Sequence, residues 1–269
     1  MRTYSLAYLT ANASTVPQAI DIAAQLGYSF VGLRLQPNAA GAPHQRFIGD
    51  SAVLRETLAR MADTGVQVFD LEIIRIGDVF DPVVHRPLLE AGAALKARAV
   101  LVAADDSNVQ RLADHYAQLC EFMQPYGITA DLEFMPWTGV KDAQTAMRVV
   151  RQAGLPKNAG ILVDALHFGR STTSLTDIAA LPPEWLHYAQ MCDATAGLNF
   201  STEALIYTAR QERLLPGEGN IDLKGLFATL PQDVPVSVEI VNLARSQSMG
   251  DKAWAELALN ATKKMLADV

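Results

Sequence analysis

Four residues of this sequence carry oxygen ligands in the same local setting: Glu133, Asp164, Gln190 and Glu239. Each lies at or near the C-terminal end of an apolar run, in DLEF, LVDA, YAQMCD and SVEI respectively. A carboxylate buried at a strand end is costly unless a cation or hydrogen-bond donors compensate it. Three converging carboxylates also repel one another, and a divalent cation relieves both problems. An oxygen-only ligand set favours hard ions, so Mg²⁺ or Mn²⁺ is expected ahead of Zn²⁺. Any one of these acids alone reads equally as a surface ion pair. Four such groups at the ends of successive strands point instead to one metal centre.

His167 follows Asp164 by three residues in ILVDALHFGR, which places an imidazole beside that centre. Imidazole ordinarily titrates near neutrality and suits proton transfer, so His167 is the first candidate acid/base. The competing reading is a histidine that orients a metal ligand. Arg34 and Arg75 fall near the ends of the second and third predicted strands, and Glu72 accompanies them. All three could line the same mouth, although charges at strand ends also form plain ion pairs. Trp137, Phe168 and Tyr207 are candidate pocket walls, with core packing as the alternative. His44 lies in a loop that could cover the site. His85 and His115 fall in helical stretches and read as solvated, and His187 reads as structural, facing the helices.

These residues need a scaffold that brings strand ends together. Apolar runs predict strands over 4–9, 28–35, 66–74, 99–103, 128–134, 159–163, 187–192 and 236–240. Helical spacing predicts helices over 16–26, 54–64, 82–95, 109–123, 143–153, 175–180, 223–230 and 252–266. Gly27, Gly65 and Gly154 stand just past helix ends, and Asp81 with Pro82 marks a helix start. Residues 36–50 read as a long loop and 193–220 as a polar insertion, with Gly217 and Gly219 allowing a tight turn. Eight alternating strand–helix units predict an α/β fold, a (β/α)8 TIM barrel. A doubly wound open sheet would carry a glycine-rich turn after the first strand, and TANAST is not one. No compositional break divides the chain, so residues 1–269 read as a single domain.

Composition narrows the function classes. The net charge of −7 argues against nucleic acid as a partner, because phosphate backbones reward Lys and Arg. Cys120 and Cys192 are far apart, which supports neither a disulfide framework nor a cysteine zinc site. No apolar run is long enough for a membrane span and the N-terminus has no signal-peptide pattern, so a cytoplasmic location is expected. Self-association is left open.

The pieces LEFMPW, LVDALH, YAQMCDA, RLLPGEGNIDL and VSVEI resemble the xylose isomerase-like TIM barrels. That family includes sugar isomerases and epimerases, inosose dehydratase, 3-dehydroshikimate dehydratase and, more distantly, endonuclease IV. The resemblance implies the metal set Glu133, Asp164, Gln190 and Glu239. Many members carry His where this chain has Gln190, and that departure resembles the 3-dehydroshikimate dehydratase branch. Arg213 in RLLPGEG resembles the family arginine whose loop closes over the substrate. The nuclease branch needs a His-rich, multi-metal site, which five histidines and an acidic charge disfavour.

The chemistry such parts allow is proton abstraction beside a carbonyl, with His167, Glu133 or Glu239 as the base and a divalent metal stabilising the anion. Arg213, Arg34, Arg75 and Trp137 are the expected substrate contacts. Returning the proton to carbon isomerises or epimerises a sugar, and this is the first expectation. Expelling a neighbouring hydroxyl dehydrates, and this is the alternative. The expected substrate is a sugar-like molecule or cyclic polyol.

Overall fold

The computed structural model describes residues 2–39 and 41–269. Its strands are β1 (Tyr4–Leu6), β2 (Phe30–Leu33), β3 (Gln67–Ile76), β4 (Ala99–Ala104), β5 (Thr129–Glu133), β6 (Ala159–Asp164), β7 (Ala189–Met191) and β8 (Val236–Val238). They close in chain order into a parallel barrel, with β8 returning to β1 through Tyr4↔Val236. The protein is therefore a TIM barrel.

Side-chain alternation decides what faces inward. On β5, Ala130 and Leu132 join the outer core under the helices, which turns Asp131 and Glu133 inward. On β6, Ile161 and Val163 pack outward, which turns Leu162 and Asp164 inward. The pairings Asp164↔Gln190 and Gln190↔Ser237 carry the same alternation onto β7 and β8. The interior itself is filled by Phe30, Phe69, Leu101, Leu162 and Tyr188.

The helices are α1 (Val16–Leu26), α2 (Ser51–Thr64), α3 (Arg86–Ala94), α4 (Val109–Met123), α5 (Ala143–Gln152), α6 (Ala165–Gly169), α7 (Leu175–Ala179), α8 (Thr202–Gln211), α9 (Leu223–Thr229), α10 (Leu243–Met249) and α11 (Asp251–Met265). Local signals set several ends. Thr15 and Gln18 form a capping box on α1, which stops at Gly27 with φ 82°. Asp81 caps a 3-10 turn (Pro82–His85) rather than α3, so the helix expected from Pro82 is in two pieces. The strand expected over 4–9 ends at Leu6, where a 3-10 turn (Tyr8–Ala11) takes over. The polar insertion holds α8, a helix that the apolar spacing does not predict.

Three histidine expectations are corrected. His187 does not face the helices: its Nδ1 lies 2.7 Å from Asp131 Oδ1. A Cβ on the inward-facing Gly160 would meet both groups, so the pair closes the N-terminal end of the barrel. His85 and His115 are half-buried, not solvated, because both pack on the Phe80 ring.

Asp70 lies inside the barrel with no exposure, and neither carboxylate oxygen has a hydrogen-bond partner among the described residues. Gly32 makes room for it, since a Cβ there would stand 2.8 Å from Asp70 Oδ1. Burial, with Glu72 and Asp131 nearby, pushes its pKa well above the ordinary 3.8.

Candidate active site

The C-terminal end of the barrel gathers the acids. Asp164 ends β6 and caps α6, its Oδ1 accepting the backbone N–H of His167 at 3.1 Å. That cap fixes the start of α6 and turns the His167 ring into the mouth. There His167 Nε2 stands 3.5 Å from Glu133 Oε1. Glu133, Asp164 and His167 each offer one ligand atom, all within 4.8 Å of one another, and all three residues are buried. This group could hold a metal ion. Trp137 meets the His167 ring edge to face at 5.0 Å.

Arg213 crosses the floor of this group. Its Nη1 donates to Asp164 Oδ2 at 2.6 Å, and its Nη2 stands 2.8 Å from Glu239 Oε2. This expected substrate contact is 3% exposed and tied to two of the expected metal ligands. Its backbone is held by Arg213 N donating to Val241 O at 2.7 Å and by Asn242 Nδ2 donating to Arg213 O at 3.1 Å.

The following turn is organised by Asp193, which sequence reasoning passed over. Asp193 Oδ2 accepts the N–H groups of Gly217 and Gly219 at 2.9 and 3.0 Å. A Cβ on Gly219 would lie 2.3 Å from Asp193 Oδ1, so only glycine allows the approach. The signal was an acid just after β7, followed by two glycines in the same insertion.

Electrostatics separate the acids. Burial pushes the Glu133 pKa well up, and the charges of Asp164 and Glu239 add to it. Burial raises Glu239 as well, against the pull of Arg213. Asp164 is equally buried, but Arg213 and the donor from His167 outweigh that and hold its pKa below the ordinary range. Burial lowers His167 to about 4, more than nearby Asp164 can offset, so its ring is neutral at physiological pH.

The residues fit a divalent cation on two counts. Glu133, Asp164 and Glu239 bring three potential negative charges and Arg213 one positive, with His167 neutral, so two negative charges remain. Gln190, at zero exposure, has both amide atoms buried without a partner among the described residues. An orphaned amide oxygen on the strand between Asp164 and Glu239 is what a metal ligand looks like before its ion is counted.

A cavity of about 390 Å³ opens above this floor. Glu133, His167, Arg213 and Glu239 line one part of it, and Arg34, Glu72, Arg75 and Trp137 another. Arg34 pairs with Glu72 at 2.7 Å and stacks over Tyr8 at 4.6 Å. Arg75 forms two bonds to Asp105, at 2.8 and 2.6 Å. Phe168 is buried outside the cavity lining and Tyr207 is exposed on α8, so neither serves as a wall. His44 is exposed and outside the lining, although Ala42 and Pro43 of its loop belong to it. Arg210, which does line the cavity, carried no signal in the sequence beyond its charge.

A family model described as "Xylose isomerase-like TIM barrel" matches residues 20–264. Among curated proteins, the 3-dehydroshikimate dehydratase of Pseudomonas aeruginosa is 30% identical over 135 residues. That match takes in 49% of this chain and 20% of the relative, so the chain matches about a fifth of that protein's length. Among solved structures, the IolI protein with a bound zinc atom superposes with a TM-score of 0.81 at 17% identity, covering 98% of each chain. The D-allulose 3-epimerase of Methylomonas sp. superposes at 0.70 and 15% identity, covering 98% of this chain and 97% of that one. At these identities the structural likeness speaks to the fold.

Proposed function

This chain belongs to the xylose isomerase-like TIM barrel family, and on that premise we propose that it is a divalent-metal-dependent carbon–oxygen lyase. Its substrate is a hydroxylated cyclic carbonyl compound of the 3-dehydroshikimate kind. The observation that carries this reading is the buried pair of Glu133 and Asp164 beside His167, with the amide of Gln190 on the adjoining strand unpartnered among the described residues. Glu239 completes the ligand set from β8, with Mg²⁺ or Mn²⁺ ahead of Zn²⁺ on the oxygen character of the donors.

A divalent ion held there supplies the Lewis acidity that makes a C–H beside a carbonyl acidic. The chain's own residues do the rest. Neutral His167 takes the proton from carbon, and Glu133, 3.5 Å from its Nε2, steadies the imidazolium that results. The electron pair of the broken C–H bond becomes a C=C bond as the C–O bond on the neighbouring carbon breaks. His167 returns its proton to the departing hydroxide, and water leaves. Trp137 walls the ring against solvent. Two things support reading dehydration ahead of isomerisation: Gln190, where the resemblance implies the dehydratase branch, and the likeness of half the chain to part of a 3-dehydroshikimate dehydratase.

A second reading, the sugar isomerase or epimerase expected first from sequence, has its own support. Glu133 and Glu239 reach the cavity from well-separated strands, and burial raises the pKa of both. Two such carboxyl groups suit removal of a proton from one face and its return to the other.

One experiment separates them. The protein is loaded with Mg²⁺, Mn²⁺ or Zn²⁺ and offered ketoses, inososes and 3-dehydroshikimate in deuterated water, with proton NMR as the readout. New alkene or aromatic signals support the lyase. Exchange of a C–H for deuterium without loss of water supports the isomerase or epimerase. No change with any metal and any substrate removes both.

A further inference from the structure

Helix α6 carries His167 on five residues, too few for a helix to be stable by itself. Its place in the mouth comes from what grips its two ends. At the N-terminal end, the Asp164 carboxylate accepts the N–H of His167 at 3.1 Å. At the C-terminal end, the insertion between β7 and α9 takes hold. Gly197 N donates to Gly169 O at 2.9 Å. A Cβ on Gly169 would stand 2.6 Å from the Ile221 side chain, so the backbone of α6 lies directly on that segment.

Arg170, the residue after α6, is buried at 6% exposure. Its Nε donates to Thr195 O and its Nη1 to Thr208 Oγ1 of α8, both at 3.0 Å. Its guanidinium also stacks over Phe200 at 4.0 Å. A planar guanidinium can donate along two edges and offer its face to a ring at the same time, which an ammonium cannot. Arg170 therefore joins the end of α6 to the chain before α8 and to α8 itself. None of these four residues lines the cavity, so the grip is not a substrate contact. The other end of α6 leads to the same insertion. Arg213, two residues past α8, donates to Asp164 Oδ2 at 2.6 Å, and Asp164 is the cap of α6.

We propose that Arg170 is a positioning residue: by locking α6 onto the insertion, it fixes the His167 ring against Glu133 and Trp137. The ring has little latitude there, with Nε2 3.5 Å from Glu133 Oε1 and its centroid 5.0 Å from that of Trp137. A displacement of about 1 Å in a reacting group costs on the order of 10²-fold in rate. The rate consequence rests on the reading of His167 as the proton carrier, whereas the placement of the ring is tested without it.

The test is NMR on protein labelled in the histidine rings. The chain has five histidines, and the His167 signal is the one missing from His167→Asn. In the wild type the ring gives one signal with a nuclear Overhauser contact to the Trp137 indole, as their edge-to-face meeting requires. Arg170→Met and the milder Phe200→Leu lose that contact or split the signal. Arg170→Lys, which keeps a donor without the planar fork, retains part of the contact. Phe200 is half-buried, so Phe200→Leu carries the test where Arg170→Met does not fold. Asn108→Ala, which removes the cap of α4 and touches none of these groups, keeps the contact in full. No contact in the wild type, an unchanged contact in every folded variant of Arg170 and Phe200, or an equal loss in Asn108→Ala overturns the proposal. Turnover of 3-dehydroshikimate is the second readout. Arg170→Met lowers kcat by roughly 10²-fold and leaves KM nearly unchanged, because Arg170 stands outside the cavity. A raised KM at unchanged kcat overturns the positioning role. A wild type without turnover sinks the proposed reaction instead, and the NMR comparison then decides the role of Arg170.

Discussion

Arg213 Nη1 lies 2.6 Å from Asp164 Oδ2, with both side chains almost wholly shielded from solvent. The same guanidinium reaches Glu239, so one fixed positive charge is shared between two acids proposed to hold the metal. The arginine and the ion then relieve the same repulsion, and each partly substitutes for the other. Removing one partner of a buried ion pair costs about 3–5 kcal/mol, because the charge left behind has no counter-ion.

Arg213→Met should therefore lose roughly 3–5 kcal/mol of stability near neutral pH without metal. Saturating Mn²⁺ should recover much of it, since an ion that binds only the folded state stabilises by mass action. Urea denaturation of wild type and variant, with and without Mn²⁺, checks this. The metal-induced gain should be larger in the variant. Equal gains in both would mean that Arg213 and the ion do not share the carboxylates.

Gln190→His should move metal preference from Mg²⁺ or Mn²⁺ towards Zn²⁺, because imidazole is the softer ligand. Neither amide atom of Gln190 is engaged by any of the described residues, so the exchange breaks no hydrogen bond among them. Competition titrations of the two proteins would show the order change. An unchanged order would place Gln190 outside the metal's immediate ligands.

The strand-end acids were readable because two local signals coincide there. An apolar alternation sets the strand, and an acid at its end breaks the pattern in the same way in DLEF, LVDA and SVEI. Helix α4 was readable to its ends because Asn108 caps a strongly one-sided apolar pattern. The ion pairs of Arg213 were not legible because its direction is set by contacts distant in sequence: Val241 O receives its N–H, and Asp193 gathers the turn that follows. Arg210 was missed because nothing near it in sequence tells that the end of α8 lines the same cavity as Arg34 and Arg75. The Phe80 contacts of His85 and His115 are likewise tertiary, and no periodicity announces them.

Asp70 gives a prediction about stability and pH. Its pKa in the fold is raised by burial, then by Glu72 and Asp131, so the folded protein binds a proton that the unfolded chain releases above about 3.8. Between that value and the folded pKa, stability falls as pH rises. Asp70→Asn keeps the shape in the space left by Gly32 and removes the titration. The variant should gain on the wild type as pH rises from 4 towards 8 and lose that advantage on acidification. Melting temperatures across that range check the slope. A difference that stays constant with pH would mean that Asp70 titrates alike in both states.

His167 decides the chemistry. Its ring is neutral at physiological pH, with Nε2 towards Glu133 and Nδ1 without a partner among the described residues. If it moves the proton, His167→Asn keeps the fold and the metal but lowers turnover by roughly 10²–10⁴-fold. Asn fills part of the same space and can still meet Trp137, so substrate affinity should change less than rate. If His167 serves only to orient Glu133 or Asp164, the variant should instead lose about 10–100-fold in metal affinity. Excess metal would then restore the rate. Rate measured against metal concentration in this one variant separates the two roles. Recovery to wild-type turnover at saturating metal would remove His167 as the acid/base and leave the proton to Glu133 or Glu239, the two acids whose pKa burial has raised.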